Sequence, residues 1–155
     1  MKKQFNLKNP WCFLATSCGL GLSPYMPGTI GTLLAIPLYY FLQYFANQYL
    51  YLIIVLFLTP ITIYIADVVN KTCSTHDNAA ITIDEVIGFL YTMIFIPNTF
   101  FNIFLAFIFF RLFDILKPFP INFLDKKVKG GFGIILDDII AAFFANICLQ
   151  LILII

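Results

Sequence analysis

Apolar residues along this chain come in long runs, divided by three short stretches that hold every charge. No Asp, Glu, Lys or Arg lies between Pro10 and Ala66, between Val86 and Phe110, or after Asp138. Such uncharged runs predict membrane-spanning helices, because about 20 apolar residues cover the hydrocarbon core. The first residues are polar and basic, and 11–22 predicts a short interfacial helix with Trp11 at headgroup depth. Glycines and prolines from Gly19 to Gly28 forbid a regular helix until about Thr29, so a loop feeds a first span at 30–46. Asn47 and Gln48 mark an uncharged turn, and 49–66 predicts a second span with a kink at Pro60. The polar stretch 67–82 reads as a loop, or as an extension of the helix before it. Asp84 and Glu85 open an apolar segment broken at Pro97 and Asn98, which predicts a hairpin of short helices at 84–97 and 99–116, with one long span as the alternative. Pro118 and Pro120 stop that helix, and 134–154 is the last span. The expected fold class is all-α: a polytopic membrane helix bundle of about four to five spans, including the short hairpin, forming one domain over 1–155.

Composition agrees with that pattern. At 61% hydrophobic and 11% charged residues, with a mean hydropathy of +0.95, the chain lies far from the roughly 45–50% apolar and about 25% charged content of soluble domains. It reads as an integral membrane protein with no room for a separate soluble domain. A net charge of +1 gives no field for nucleic acid. Cys12, Cys18, Cys73 and Cys148 form no C-x-x-C pair and read as free thiols. The broken apolar stretch after Lys2 and Lys3, with no small-residue cleavage site, predicts no removable signal peptide. An N-terminus on the inside puts all three charged stretches in the cytoplasm, as the positive-inside bias requires, and leaves the outer turns short and uncharged.

That topology gathers Asp84, Glu85, Arg111, Asp114, Lys117, Asp137 and Asp138 on one face of the membrane. Arg111, Asp114 and Lys117 recur at intervals of three and share one helix face. Asp137 and Asp138 stand at the mouth of the last apolar run, where an ionised carboxylate is costly unless paired, solvated or metal-bound. The plainer reading of both is acids at a helix N-terminus, favoured by the dipole. Five carboxylates against one arginine and one lysine leave an excess of three negative charges, which asks for a hard cation. Oxygen ligation suits Mg²⁺ or Mn²⁺, and such ions clamp phosphate and activate water, with Arg111 and Lys117 binding the phosphate oxygens. The loop before the first span offers backbone N–H groups and the hydroxyls of Ser23, Thr29 and Thr32, either as a phosphate cradle or as capping and packing groups. Other phosphate chemistries lack their parts: there is no C-x5-R loop around the single arginine, no D-x-D-x-[TV] nucleophile, no histidine set and no D-G-x-x-A-R run. A cation or proton path is the competing use for the same acids.

Four segments resemble one known family, the phosphatidylglycerophosphatase A family of bacterial membrane lipid phosphatases, nearly end to end. They are Gly19-x-Gly21-Leu22-Ser23-Pro24-x-x-Pro27-Gly28-Thr29-x-Gly31-Thr32-Leu33-x-Ala35; His76-Asp77 with Asp84-Glu85-x-x-Gly88; Arg111-x-x-Asp114-x-x-Lys117-Pro118-x-Pro120-Ile121; and Gly130-Gly131-x-Gly133-Ile134-x-x-Asp137-Asp138. One departure is Ala142, where the family is expected to carry glycine. The resemblance implies Mg²⁺-dependent hydrolysis of phosphatidylglycerophosphate to phosphatidylglycerol and phosphate, at the cytoplasmic face of a bacterial inner membrane. It implies Asp84, Glu85, Asp137 and Asp138 as metal ligands, and Asp114 as a fifth ligand or a partner of Arg111. Arg111 and Lys117 would hold the phosphate, with donors from Gly28, Thr29 and Thr32. Asp77 would be a ligand or general acid and base, and His76 either protonates the leaving glycerol oxygen or makes a loop hydrogen bond. A small ion-coupled carrier and a non-catalytic phospholipid-binding subunit are the alternatives from other classes.

Overall fold

The computed structural model describes residues 6–73 and 79–154, and every regular element among them is helical. In chain order the α-helices are α1 Pro10–Ala15, α2 Pro27–Phe45, α3 Gln48–Cys73, α4 Ile83–Thr92, α5 Phe100–Leu116, α6 Ile121–Lys127 and α7 Gly130–Ile154. A 3₁₀ turn at Leu20–Leu22 follows α1, whose first turn is capped by Asn9 accepting from the Trp11 N–H at 3.0 Å. The expected interfacial helix at 11–22 is thus two short pieces.

Two helices, Gln48–Thr72 within α3 and Gly130–Ile154, are long and apolar enough to cross a membrane by length and composition. The hairpin expected at 84–97 and 99–116 takes a different form. α4 has 10 residues, about 15 Å of helix against a hydrocarbon core of roughly 30 Å, so it does not cross by itself. The chain continues without regular helix until Thr99 caps α5 by accepting from the Asn102 N–H at 3.2 Å. The carbonyls released there are met by polar side chains of neighbouring helices. Tyr51 Oη donates to Leu90 O at 2.7 Å, and Asn146 Nδ2 donates to Thr92 O and Ile94 O at 2.8 Å each. Asn102 Nδ2 donates to Pro97 O at 3.0 Å. Irregular backbone beside lipid is tolerated only when its polar groups are satisfied within the protein.

α7 is the axis of the bundle, packing against α3, α4, α5 and α6, while α2 lies against α4. On α7, Asp138, Ala141, Ala142, Ala145 and Leu149 recur at three- and four-residue spacing and are buried. Alanines on that stripe let neighbouring backbones approach, which is how helices pack where lipid removes the hydrophobic drive. The outward side chains are apolar, among them Phe41, Phe57, Phe104 and Ile147. A surface so apolar fits contact with lipid or another protein, not water.

At two boundaries local chemistry decides, and for 67–82 the structure takes the helix extension over the loop as far as Cys73. α3 runs through Pro60 and past residue 66 to Cys73. Asp67 and Lys71 form an i,i+4 ion pair of 2.5 Å in the favourable order along that extension. Asp67 also accepts from the Gly131 N–H at 3.2 Å, which ties the start of α7 to α3. α2 begins at Pro27, a residue whose fixed φ suits the first helical position. The unexpected α6 forms directly after Pro120, out of the segment that carries Asp125, Lys126 and Lys127. Cys12, Cys18 and Cys148 are free thiols.

Candidate active site

Four helix ends build the site. α4 brings Asp84 and Glu85 in its first turn, where the positive end of the helix dipole favours acids. α7 brings Asp137 and Asp138 in its second and third turns, 5% and 3% exposed. α5 brings Arg111 and Asp114 near its C-terminus and ends on Lys117, whose φ of 42° turns the chain away from the helix. α2 brings Gly28 in its first turn.

Two glycines allow the approach. A Cβ on Gly88, one turn after Asp84, would run into the Phe110 ring and lie 3.2 Å from the Asp138 Cβ, so bare backbone here lets α4 meet α5 and α7. A Cβ on Gly28 would meet Glu85 Oε1 and lie 3.0 and 3.1 Å from the two terminal guanidinium nitrogens of Arg111. α2 therefore closes directly over the Glu85 and Arg111 side chains.

Asp84, Glu85 and Asp138 each offer a carboxylate oxygen, and the three atoms lie within 4.8 Å of one another. Asp84 Oδ1, Glu85 Oε2, Asp137 Oδ1 and Asp138 Oδ2 are buried with no hydrogen-bond partner among the described residues. A buried carboxylate oxygen without a donor is costly, and several converging ones repel each other. A hard divalent cation removes both penalties, so this donor set fits Mg²⁺.

The two cations are already spent on acids. Arg111 Nη1 bonds Asp114 and lies 4.0 Å from Glu85 Oε1. Lys117 Nζ donates to Asp137 Oδ2 at 2.6 Å and to Asp125 Oδ1 at 2.9 Å. Burial alone pulls the Lys117 ammonium down, but its bonds to Asp137 and Asp125 outweigh that and hold it well above the ordinary lysine value. A cavity of about 550 Å³ opens over the acids; Asp84, Glu85, Asp114, Lys117, Asp137 and Asp138 line it, whereas Arg111 is not part of the lining.

The loop hydroxyls sit outside this lining. Thr32 Oγ1 is buried and donates to Gly28 O at 2.9 Å, a back-bond within α2. Thr29 is half-buried, and Ser23 Oγ donates to Tyr25 O at 3.0 Å. His76 and Asp77 lie outside the described residues. Asn70, Asp125, Lys126 and Lys129 also line the cavity and were not singled out from sequence. The lysines belong to a short basic run at 126–129, a charge pattern that by itself names no ligand. Asn146 was visible as a polar residue inside an uncharged apolar run, a signal whose partner backbone lies more than 50 positions away.

Comparison with known proteins bears on the same segments. The family model described as phosphatidylglycerophosphatase A matches residues 13–153. A phosphatidylglycerophosphatase A of Escherichia coli K12 is 39% identical over 141 residues, covering 90% of this chain and 81% of the relative. Its counterpart in Haemophilus influenzae is 36% identical over 146 residues, covering 94% of this chain and 90% of the relative. A protein of Bacteroides thetaiotaomicron named a putative phosphatidylinositol-3-phosphatase is 31% identical over 141 residues, covering 86% and 87%. No solved structure matches the chain. Bacterial relatives and two apolar helices support a bacterial membrane protein, and the range matched by the family model, 13–153, includes the acid-bearing segments on α4, α5 and α7. The chain belongs to the phosphatidylglycerophosphatase A family.

Proposed function

We propose that the protein hydrolyses the terminal phosphomonoester of phosphatidylglycerophosphate, releasing phosphate and phosphatidylglycerol at the cytoplasmic face of a bacterial inner membrane. The observation that carries this reading is the convergence of Asp84, Glu85 and Asp138 from two helices with their buried oxygens unpartnered. Family membership supplies the substrate class.

Asp84, Glu85 and Asp138 would hold Mg²⁺, with Asp137 beside them. The ion, when bound, supplies positive charge that polarises a phosphoryl oxygen and lowers the pKa of water. Lys117 offsets the charge of Asp137 and presents its ammonium to the cavity, where it meets the phosphate. Arg111 fixes Asp114 and Glu85 in orientation, with the Gly28 backbone packed against Glu85 and Arg111. Asp114 fills a positioning role in the cavity. His76 would protonate the leaving glycerol oxygen, and Asp77 would act as a metal ligand or as general acid and base. The full topology is four to five passes with the N-terminus inside, as the one-sided charge distribution favours.

A carrier would need acids spread through the depth of the bundle, whereas Asp84, Glu85, Asp114, Asp125, Asp137 and Asp138 all line one cavity, together with three lysines. Phosphate release from phosphatidylglycerophosphate by the purified protein in detergent, with Mg²⁺ and with chelator, tests the reading. Release that depends on Mg²⁺ is expected, and a folded sample that releases none overturns it.

A further inference from the structure

The acids occupy one part of a cavity of about 550 Å³, a volume in the range of about 300 to 1,000 Å³ that takes a whole small molecule, not a single phosphate. Its other lining includes Lys126 at the end of α6 and Lys129 just before α7. These two differ from every other cation nearby. Arg111 and Lys117 are paired with carboxylates, and Lys127 lies 4.2 Å over the Phe123 ring. The side chains of Lys126 and Lys129 make no ion pair or hydrogen bond among the described residues, although the cavity they line is rich in acids.

The same corner carries outward aromatics. Phe119 is 82% exposed, and Phe123 and Phe132 about half exposed. Lysines beside an apolar surface lay their stems along it and keep their ammonium groups at its polar edge, within reach of lipid phosphates. Lys126 and Lys129, unpaired among the described residues, thus share one cavity with the acid cluster and stand beside an apolar surface.

We propose that Lys126 and Lys129 form a second anion subsite, which binds the internal phosphodiester of a lipid whose terminal phosphomonoester lies at the acid cluster. The site is thereby selective for lipids that carry two phosphates separated by a polyol, over lipids with a single phosphomonoester on the diacylglycerol. This rests on the phosphatase reading above. Both lipids named for the relatives, phosphatidylglycerophosphate and a phosphatidylinositol 3-phosphate, have the two-phosphate arrangement.

The test compares kcat/KM for phosphatidylglycerophosphate and for phosphatidic acid in micelles of a neutral detergent, which hold no other anionic lipid. The wild-type protein is expected to favour the two-phosphate lipid. In Lys126→Ala/Lys129→Ala that preference should fall about tenfold, chiefly through KM, as expected for two partly exposed ion pairs to substrate. Lys126→Arg/Lys129→Arg should restore it. A loss that is equal for both lipids, or no loss at all, overturns the subsite and leaves the phosphatase reading intact. Failure of the wild-type protein to release phosphate from either lipid overturns both. Thermal unfolding of each variant confirms that exposed lysines were changed without loss of fold.

Discussion

Asp138 is 3% exposed, lies among other acids and has one oxygen without a donor. Its charge repels Asp84 and Glu85 unless a cation intervenes. Asp138→Asn keeps the shape and removes the charge, so phosphate release should fall about 100-fold or more, on the scale of losing a preorganised electrostatic contact. The melting temperature without metal should hold or rise, while the stabilisation given by Mg²⁺ should shrink. Unfolding scans with and without Mg²⁺ read both effects, and a variant that still gains full stabilisation from Mg²⁺ rules out Asp138 as a ligand. Gly88 makes the complementary case. Its missing Cβ is what lets α4 approach Phe110 and Asp138, so Gly88→Ala should cost about 1–3 kcal/mol by overpacking and lower activity with it. Denaturant unfolding in detergent measures the first part. The identity of these residues was legible in the sequence, because acids and glycines are rare in apolar runs; their contact was not, because it joins positions 50 residues apart.

At the scale of the element, α4 has its acidic end in the site and its carbonyl end held by other helices. Asn146 donates to Thr92 O and Ile94 O at 2.8 Å, and Tyr51 Oη to Leu90 O at 2.7 Å. Asn146→Leu preserves volume but leaves both acceptors without their donor. A loss of about 1–3 kcal/mol is expected for buried groups left unsatisfied, together with reduced phosphate release, since α4 carries two of the acids. Unchanged stability would mean that another donor replaces Asn146. A ten-residue α4 was hidden in the sequence because periodicity does not tell a short buried helix from part of a span. What stops it is the supply of donors from α3 and α7, which is a tertiary property.

For the whole molecule, an apolar outer surface and a charged cavity at one end of the helices follow one rule: each ionic group must find a partner or water. The helix directions make the one-sidedness testable. The α2–α3 turn holds Asn47 and the stretch before α5 holds Asn98. In a background without native cysteines, single cysteines at Asn47 and Asn98 should react from outside the cell with an impermeant maleimide. Protection of either until the membrane is opened would overturn a cytoplasmic site built from α4, α5 and α7.

Long uncharged runs, by themselves, determine that this chain is helical, that its outside is apolar and that its charged residues are confined to a few short stretches, because each is a local consequence of side-chain transfer and backbone hydrogen bonding in lipid. Which charges meet was decided by packing. Asp84, Glu85 and Asp138 converge because Gly88 and the alanine stripe of α7 permit close approach. Arg111 and Lys117 turn to carboxylates, and Lys126 and Lys129 line the cavity unpaired among the described residues. No spacing along the chain encodes those pairings, since each depends on where helices distant in sequence come to rest.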